Sequence, residues 1–323
     1  MKNRIIYLDN CRALCMLWII GVWHLLGYCE ITGWMTSPYA RAITNGVLAS
    51  FTLISGLFLG RKECIDKKDI IVFWKKRLIR IYPLFFISCT SFYLIHLYFG
   101  YHYINSSRQY ILTLLGLATF VGESPQTIWY ISMLIMYYFI SPLILSIQRR
   151  NIRYGIVVIL YLVLIMLKIM GSRVDTKIIV LFPFYFVPLL LSNKILTAFE
   201  NDQLIFKLIP VSIIGFVIIN SSVCYNSASV MFSIISSLLF LCITVSLAKV
   251  ISRIKLINHI LYYFGYASMV AYLFHRQWYG LIQFTFFRSQ NAVPLYAAYL
   301  IMLPSIIVIA YVVQRIYDRI TVK

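Results

Sequence analysis

The first apolar stretch holds the residues best placed to do chemistry. It reads Tyr7-Leu-Asp-Asn-Cys-Arg-Ala-Leu-Cys-Met-Leu-Trp-Ile-Ile-Gly-Val-Trp-His24, with an arginine and a histidine set among hydrocarbon side chains. Ionisable groups inside a membrane span are costly and mark function by default. The Arg12 guanidinium can hold a phosphate or carboxylate through two parallel hydrogen bonds. The His24 imidazole exchanges protons near neutral pH, as a general base must; a core histidine bonded to a neighbouring backbone is its structural alternative. His24 lies 12 residues after Arg12, about 18 Å along an α-helix.

Further on, residues 61–80 carry eight basic side chains (Arg61, Lys62, Lys67, Lys68, Lys75, Lys76, Arg77, Arg80) against Glu63, Asp66 and Asp69. Such a cluster suits phosphate groups, or anchors the chain on anionic lipid. Arg77 and Arg80, at i and i+3, can point the same way, and Pro83 follows as a candidate kink. His275, beside Arg276 and Trp278, could bind a substrate, assist proton transfer or make a structural bond. Ser55 in a Ser-Gly pair could donate to a substrate oxygen, although such a pair also marks close packing. Glu30 and Glu123 are candidate partners to orient His24, and Glu123 could also meet a substrate. Trp23 and Trp129 could stack on a sugar ring. His96 and His102 lack helical metal-pair spacing, His259 reads as a capping group, and the seven cysteines form no ligand pattern, so no metal is expected.

These residues must be carried by membrane helices. Of 323 residues, 61% are hydrophobic and 12% charged, against about 45–50% and about 25% in ordinary soluble domains. A net charge of +19 raises the possibility of nucleic acid, but the cations sit in clusters between apolar runs, so nucleic acid is excluded as a partner and membrane lipid expected. Ten runs are long and apolar enough to cross: 12–29, 41–60, 81–100, 128–147, 154–170, 178–192, 208–222, 229–249, 258–281 and 293–314. The basic start, interrupted by Asp9 and Arg12 and followed by no small-residue cleavage site, reads as a retained span. An eleventh run, 111–121, is short. If it stays on the outer face or is re-entrant, 22 of the 29 Lys and Arg fall inside and both termini are cytoplasmic. If it crosses, that asymmetry largely vanishes. The expected fold is an all-α polytopic membrane protein of about ten transmembrane helices, one domain over 1–323.

The ordered motifs resemble the acyltransferase-3 family of bacterial membrane O-acyltransferases. Leu8-Asp-x-x-Arg12-Ala with the later His24, Phe51 through Gly60 with its Ser-Gly, Arg77-Leu-Ile-Arg80-Ile-Tyr-Pro83, Trp129 through Pro142, and Ser268 through His275 look like that family's signatures in order. The family usually places the histidine 11 residues after the arginine, nearly the same helical face, whereas a step of 12 leaves about 120° of offset. Either Gly21 and its neighbours open a one-residue bulge, or Arg12 and His24 do not face one cavity. The bulge is preferred, because Trp23 at the family spacing cannot exchange a proton. Leu134 and Ile135 stand where many relatives carry a Glu pair, which points to the stand-alone subgroup resembling surface-polysaccharide O-acetyltransferases.

The resemblance implies an acyl-coenzyme A co-substrate, with acetyl the expected acyl group, no permanently bound cofactor, and a hydroxyl of a surface or lipid-linked glycan as acceptor. It implies donor phosphates on Arg77 and Arg80 with Ser55 nearby, Arg12 steering the donor and His24 as base. It leaves His275, Trp129 and Glu123 for the acceptor, and it implies the bacterial inner membrane, with a homo-oligomer left open. The competing class is a transporter or flippase of lipid-linked saccharide. The absence of a detectable inverted repeat disfavours it. If donor and acceptor lie on opposite sides, passage of the acyl group and its transfer would occur in one protein.

Overall fold

The computed structural model describes residues 5–29, 31–35, 37–62, 66–100, 104–221, 230–287 and 292–321. Those residues are mostly helical, with no strand among them. Helix α1 (Ile6–Leu17) continues as a π-helical segment, Trp18–His24, and a 3-10 turn, Leu26–Tyr28. After it come α2 (Pro38–Gly60), α3 (Lys67–Phe99), α4 (Ser107–Leu114), α5 (Trp129–Leu145), α6 (Arg150–Ile169) and α7 (Thr176–Glu200). The chain ends with α8 (Asp202–Ile219), α9 (Val230–Ser252), α10 (Lys255–Phe287) and α11 (Leu303–Thr321), the last preceded by a π-helical segment, Ala298–Met302. Eight helical stretches among the described residues are long and apolar enough to cross a membrane. Of the ten expected spans, α5 has 17 residues, and α10, 33 residues long with Lys255, Arg276 and two histidines, is not among the eight. The protein is an all-α polytopic membrane protein.

The segment 111–121 does not form a span. Residues 111–114 end α4, a helix of eight residues or about 12 Å started by Ser106, whose hydroxyl accepts from the Gln109 N–H at 3.1 Å, and Ala118–Phe120 form a 3-10 turn. Gly116, at φ 75°, then turns the chain, as a side chain would resist. The basic stretch expected as a loop is helical from Lys67 onward. Lys and Arg are good helix formers, Gly and Pro are absent between Arg61 and Tyr82, and Asp69 in the first turn complements the helix dipole. At 33 residues, α3 is about 50 Å long, well beyond a bilayer core of about 30 Å. Pro83 lies inside it without breaking it.

Two compact units divide the chain: 1–54 with 197–323, and 55–196. Lipid tails are as apolar as leucine, so helices associate through close packing and interhelical hydrogen bonds. In the first unit α1 packs on α10, where Gly265 admits the Asp9 carbonyl and Ala13. The Trp18 indole donates to the Thr44 hydroxyl at 3.1 Å, and Gly46 lies under the Phe240 ring. In the second unit Gly56 and Gly60, one turn apart on α2, sit against the backbone carbonyls of Tyr185 and Leu189, one turn apart on α7. Beside them Tyr137 donates to the Ile178 carbonyl at 3.2 Å, and Ser141 bonds the Tyr185 hydroxyl at 2.8 Å. A methyl group at Gly56 would overlap the Tyr185 carbonyl. Gly56→Ala is therefore expected to destabilise the protein by about 1–3 kcal/mol, read as a lowered melting midpoint in detergent; an unchanged midpoint would refute this packing.

Candidate active site

The π-helical segment Trp18–His24 resolves the spacing of the first helix. A π turn closes i→i+5 bonds instead of i→i+4 and so absorbs one extra residue. With one residue absorbed, the step from Arg12 to His24 behaves as 11 residues and returns to within about 20° of the same face. Gly21 lies inside the π segment, where the Leu303 side chain would approach an added methyl to 3.3 Å. Tyr279, fully buried, donates its hydroxyl to the Ile20 carbonyl at 3.1 Å and so ties the irregular backbone to α10. The expected bulge is present, and Arg12 and His24 both turn toward α10.

There they meet two residues seven apart, a spacing that also returns to one helical face. The Arg12 Nη2 donates to Ser268 Oγ at 3.3 Å. The His24 Nδ1 lies 2.6 Å from His275 Nε2, the two rings tilted by only 14°. Both rings are buried, His275 fully and His24 to 8% exposure. Deeper toward the start of α1, the Asn10 side-chain amide donates to Asn258 at 2.5 Å.

The hydrogen-bond partners determine where the protons sit. His275 Nδ1 lies 3.0 Å from the Ala271 carbonyl and 2.9 Å from the Tyr272 carbonyl. Carbonyl oxygens only accept, so that nitrogen carries the proton and, in the neutral ring, Nε2 carries the lone pair. His24 Nδ1 must then be the donor, which leaves His24 Nε2 with its lone pair as the basic atom. Tyr272 and Tyr279 flank the ring of His275 with centroids at 6.0 and 5.8 Å. Tyr28 stands edge-on to Tyr279 at 5.6 Å and donates to the Arg276 carbonyl.

Of the orienting partners expected for His24, Glu30 lies outside the described residues, as does His102. The group found at Nδ1 is His275 in place of Glu123. Glu123 instead pairs with Arg108, Nε to Oε1 at 3.2 Å. Trp129 is buried in the second unit with the Lys177 ammonium 4.7 Å from its ring centroid, a cation–π contact. Arg77 stands over the Phe73 and Tyr138 rings at 5.6 and 5.0 Å and lines a small apolar slot with Trp74, Tyr82 and Ile135. Arg80 is exposed on the same helix. Ser55 precedes Gly56, whose role is the close approach to α7. His259 meets the Tyr263 hydroxyl at 3.3 Å, and among the described residues no cluster of three His, Cys, Asp or Glu side chains could hold a metal. Ser268 and Asn258 were not singled out from sequence, though the seven-residue step from Ser268 to His275 is a signal for the first.

A family model described as an acyltransferase domain, that of the acyltransferase-3 family, matches residues 5–315. No curated protein and no solved structure matches the chain. The proton placement is open to direct measurement: nitrogen NMR of 15N-histidine-labelled protein is expected to show both His24 and His275 as Nδ1–H tautomers at neutral pH. An Nε2–H signal for His24 would overturn the arrangement.

Proposed function

This chain belongs to the acyltransferase-3 family, and from that premise we propose that it transfers an acyl group from acyl-coenzyme A to a hydroxyl of a surface or lipid-linked glycan. Acetyl is the proposed acyl group and the bacterial inner membrane the proposed location. Coarser than this, a membrane acyltransferase, follows from the family alone. The observation that supports transfer to a hydroxyl is the His24–His275 pair, in which a second imidazole leaves His24 Nε2 as the acceptor of a proton; the donor, the glycan and the location rest on the family resemblance.

In this reading the acceptor hydroxyl attacks the thioester carbonyl carbon while His24 Nε2 takes its proton. A carbon–oxygen bond forms and the carbon–sulfur bond breaks. The proton then passes from His24 to the departing thiolate, so ester and free coenzyme A leave and the enzyme is restored. His275 is a positioning residue: its Nε2 accepts the His24 Nδ1–H, which holds the ring in the basic tautomer and spreads charge when the imidazolium forms. Arg12, fixed toward α10 by Ser268, steers the donor. Arg77, over the Phe73 and Tyr138 rings, is the proposed contact for donor phosphate, with Arg80 beside it. Ser55, Trp129 and Glu123 stay as proposed contacts, Ser55 for the donor and the other two for the sugar.

Donor hydrolysis and transfer by purified protein in nanodiscs test this directly. His24→Ala is expected to lower kcat by about 10²–10⁴-fold with donor binding retained; near-normal turnover would overturn the base assignment. His275→Ala should lower kcat while leaving the donor KM in place, and should release the His24 tautomer in the NMR spectrum. Arg77→Gln should do the reverse, raising the donor KM about tenfold with kcat little changed, and equal effects on both constants would remove Arg77 from the donor site.

A further inference from the structure

A polar cavity of about 90 Å³ lies in the second unit, bounded by Gly60 at the end of α2, Leu145 of α5, the first turn of α6 and a break in α7. By this measure one water needs about 10–15 Å³, so the space admits a group with several oxygens. Its lining brings together three cations, Arg150, Arg153 and Lys194, with the neutral polar residues Tyr154, Ser192 and Asn193, and among the described residues it includes no carboxylate.

Three features of the wall favour an anion. Arg150 and Arg153 occupy the first turn of α6, a helix of 20 residues whose N-cap, Arg149, supplies no side-chain hydrogen bond. The positive end of the helix dipole thus adds to the side-chain charge. Arg153 is buried, and its Nε donates to the Ile147 carbonyl at 2.5 Å, which fixes a planar guanidinium of the shape that matches phosphate. Opposite, α7 leaves helical geometry at Leu191 (φ −118°, ψ 25°), three residues after Pro188. Non-helical backbone within a membrane span is tolerated where it lines a polar cavity or is buried in protein. Gly60 completes the wall by meeting the Leu189 carbonyl at a distance no side chain permits.

We propose that this cavity is a phosphate-binding site, filled by a phosphate of the acyl donor or by the headgroup of an anionic lipid. The donor source rests on the acyl-transfer reading; the lipid source does not. Arg150 and Lys194 are exposed at the cavity rim, so replacing them leaves the buried wall intact.

The full chain and its Arg150→Gln/Lys194→Gln variant, matched for melting midpoint, are compared in phosphatidylcholine nanodiscs. Two probes are used: coenzyme A binding, with dephospho-coenzyme A alongside, and retention of added phosphatidic acid read by native mass spectrometry. If a donor phosphate fills the site, the variant binds coenzyme A at least tenfold more weakly and retains phosphatidic acid as the parent does. If a headgroup fills it, phosphatidic acid is retained by the parent and lost from the variant while coenzyme A affinity holds. Should neither probe distinguish the two proteins, the site is refuted. Failure of the acyl-transfer reading would register separately, as donor hydrolysis that does not depend on His24.

Discussion

A backbone carbonyl can only accept a hydrogen bond, and the state of the buried histidine pair follows from that constraint. Two carbonyls of α10 fix the proton of His275 on Nδ1, so its other nitrogen must accept from His24. Buried polar groups are expensive unless every one is paired, and here pairing meets the demand of the proposed base as well. The bond that satisfies His24 on one side is the bond that leaves its other nitrogen basic. Replacing this contact with a carboxylate would also fix the tautomer, but it would bring a formal charge into an apolar setting that already holds few acids. A neutral imidazole avoids that desolvation cost.

The pair in turn depends on a local departure from α-helical geometry. A regular helix would swing His24 about 120° away from the face of Arg12. The π segment removes that offset, and it needs support, because its hydrogen-bond geometry is less regular than that of the turns around it. Support comes from Tyr279 bonding the Ile20 carbonyl and from the Leu303 side chain closing on Gly21. Close by lies the core of Leu25, Ile282, Ala298 and Met302, the last two from another π-helical segment. Irregular backbone is therefore concentrated around His24.

Elsewhere the fold is held by the devices available to helices in lipid. Glycine at one-turn spacing brings α2 against α7, and hydroxyl and indole donors cross between helices. The same glycine pair explains a motif that has two meanings in sequence. Ser55-Gly56 reads in sequence more readily as a helix end or packing contact than as a donor to a substrate oxygen, and the packing of Gly56 is visible while a role for Ser55 stays a proposal.

The sequence by itself determined the class, most of the spans and the family. Those follow from composition, from apolar run length and from the order of short motifs, all of which are properties of neighbours along the chain. It also contained the need for a bulge, since 12 residues and one face are incompatible in a regular helix. What only the tertiary structure decided was pairing at a distance: His275 at the side of His24 and Ser268 at Arg12, each about 250 positions apart in sequence. Sequence could only name Glu30 and Glu123 as candidate partners for His24, because no local pattern marks which of many polar residues will share a helix face with it. The helical start at Lys67 was hidden for a related reason. Charge density marked the segment as lying outside the bilayer, and it does not distinguish a solvated loop from a helix that continues beyond the membrane.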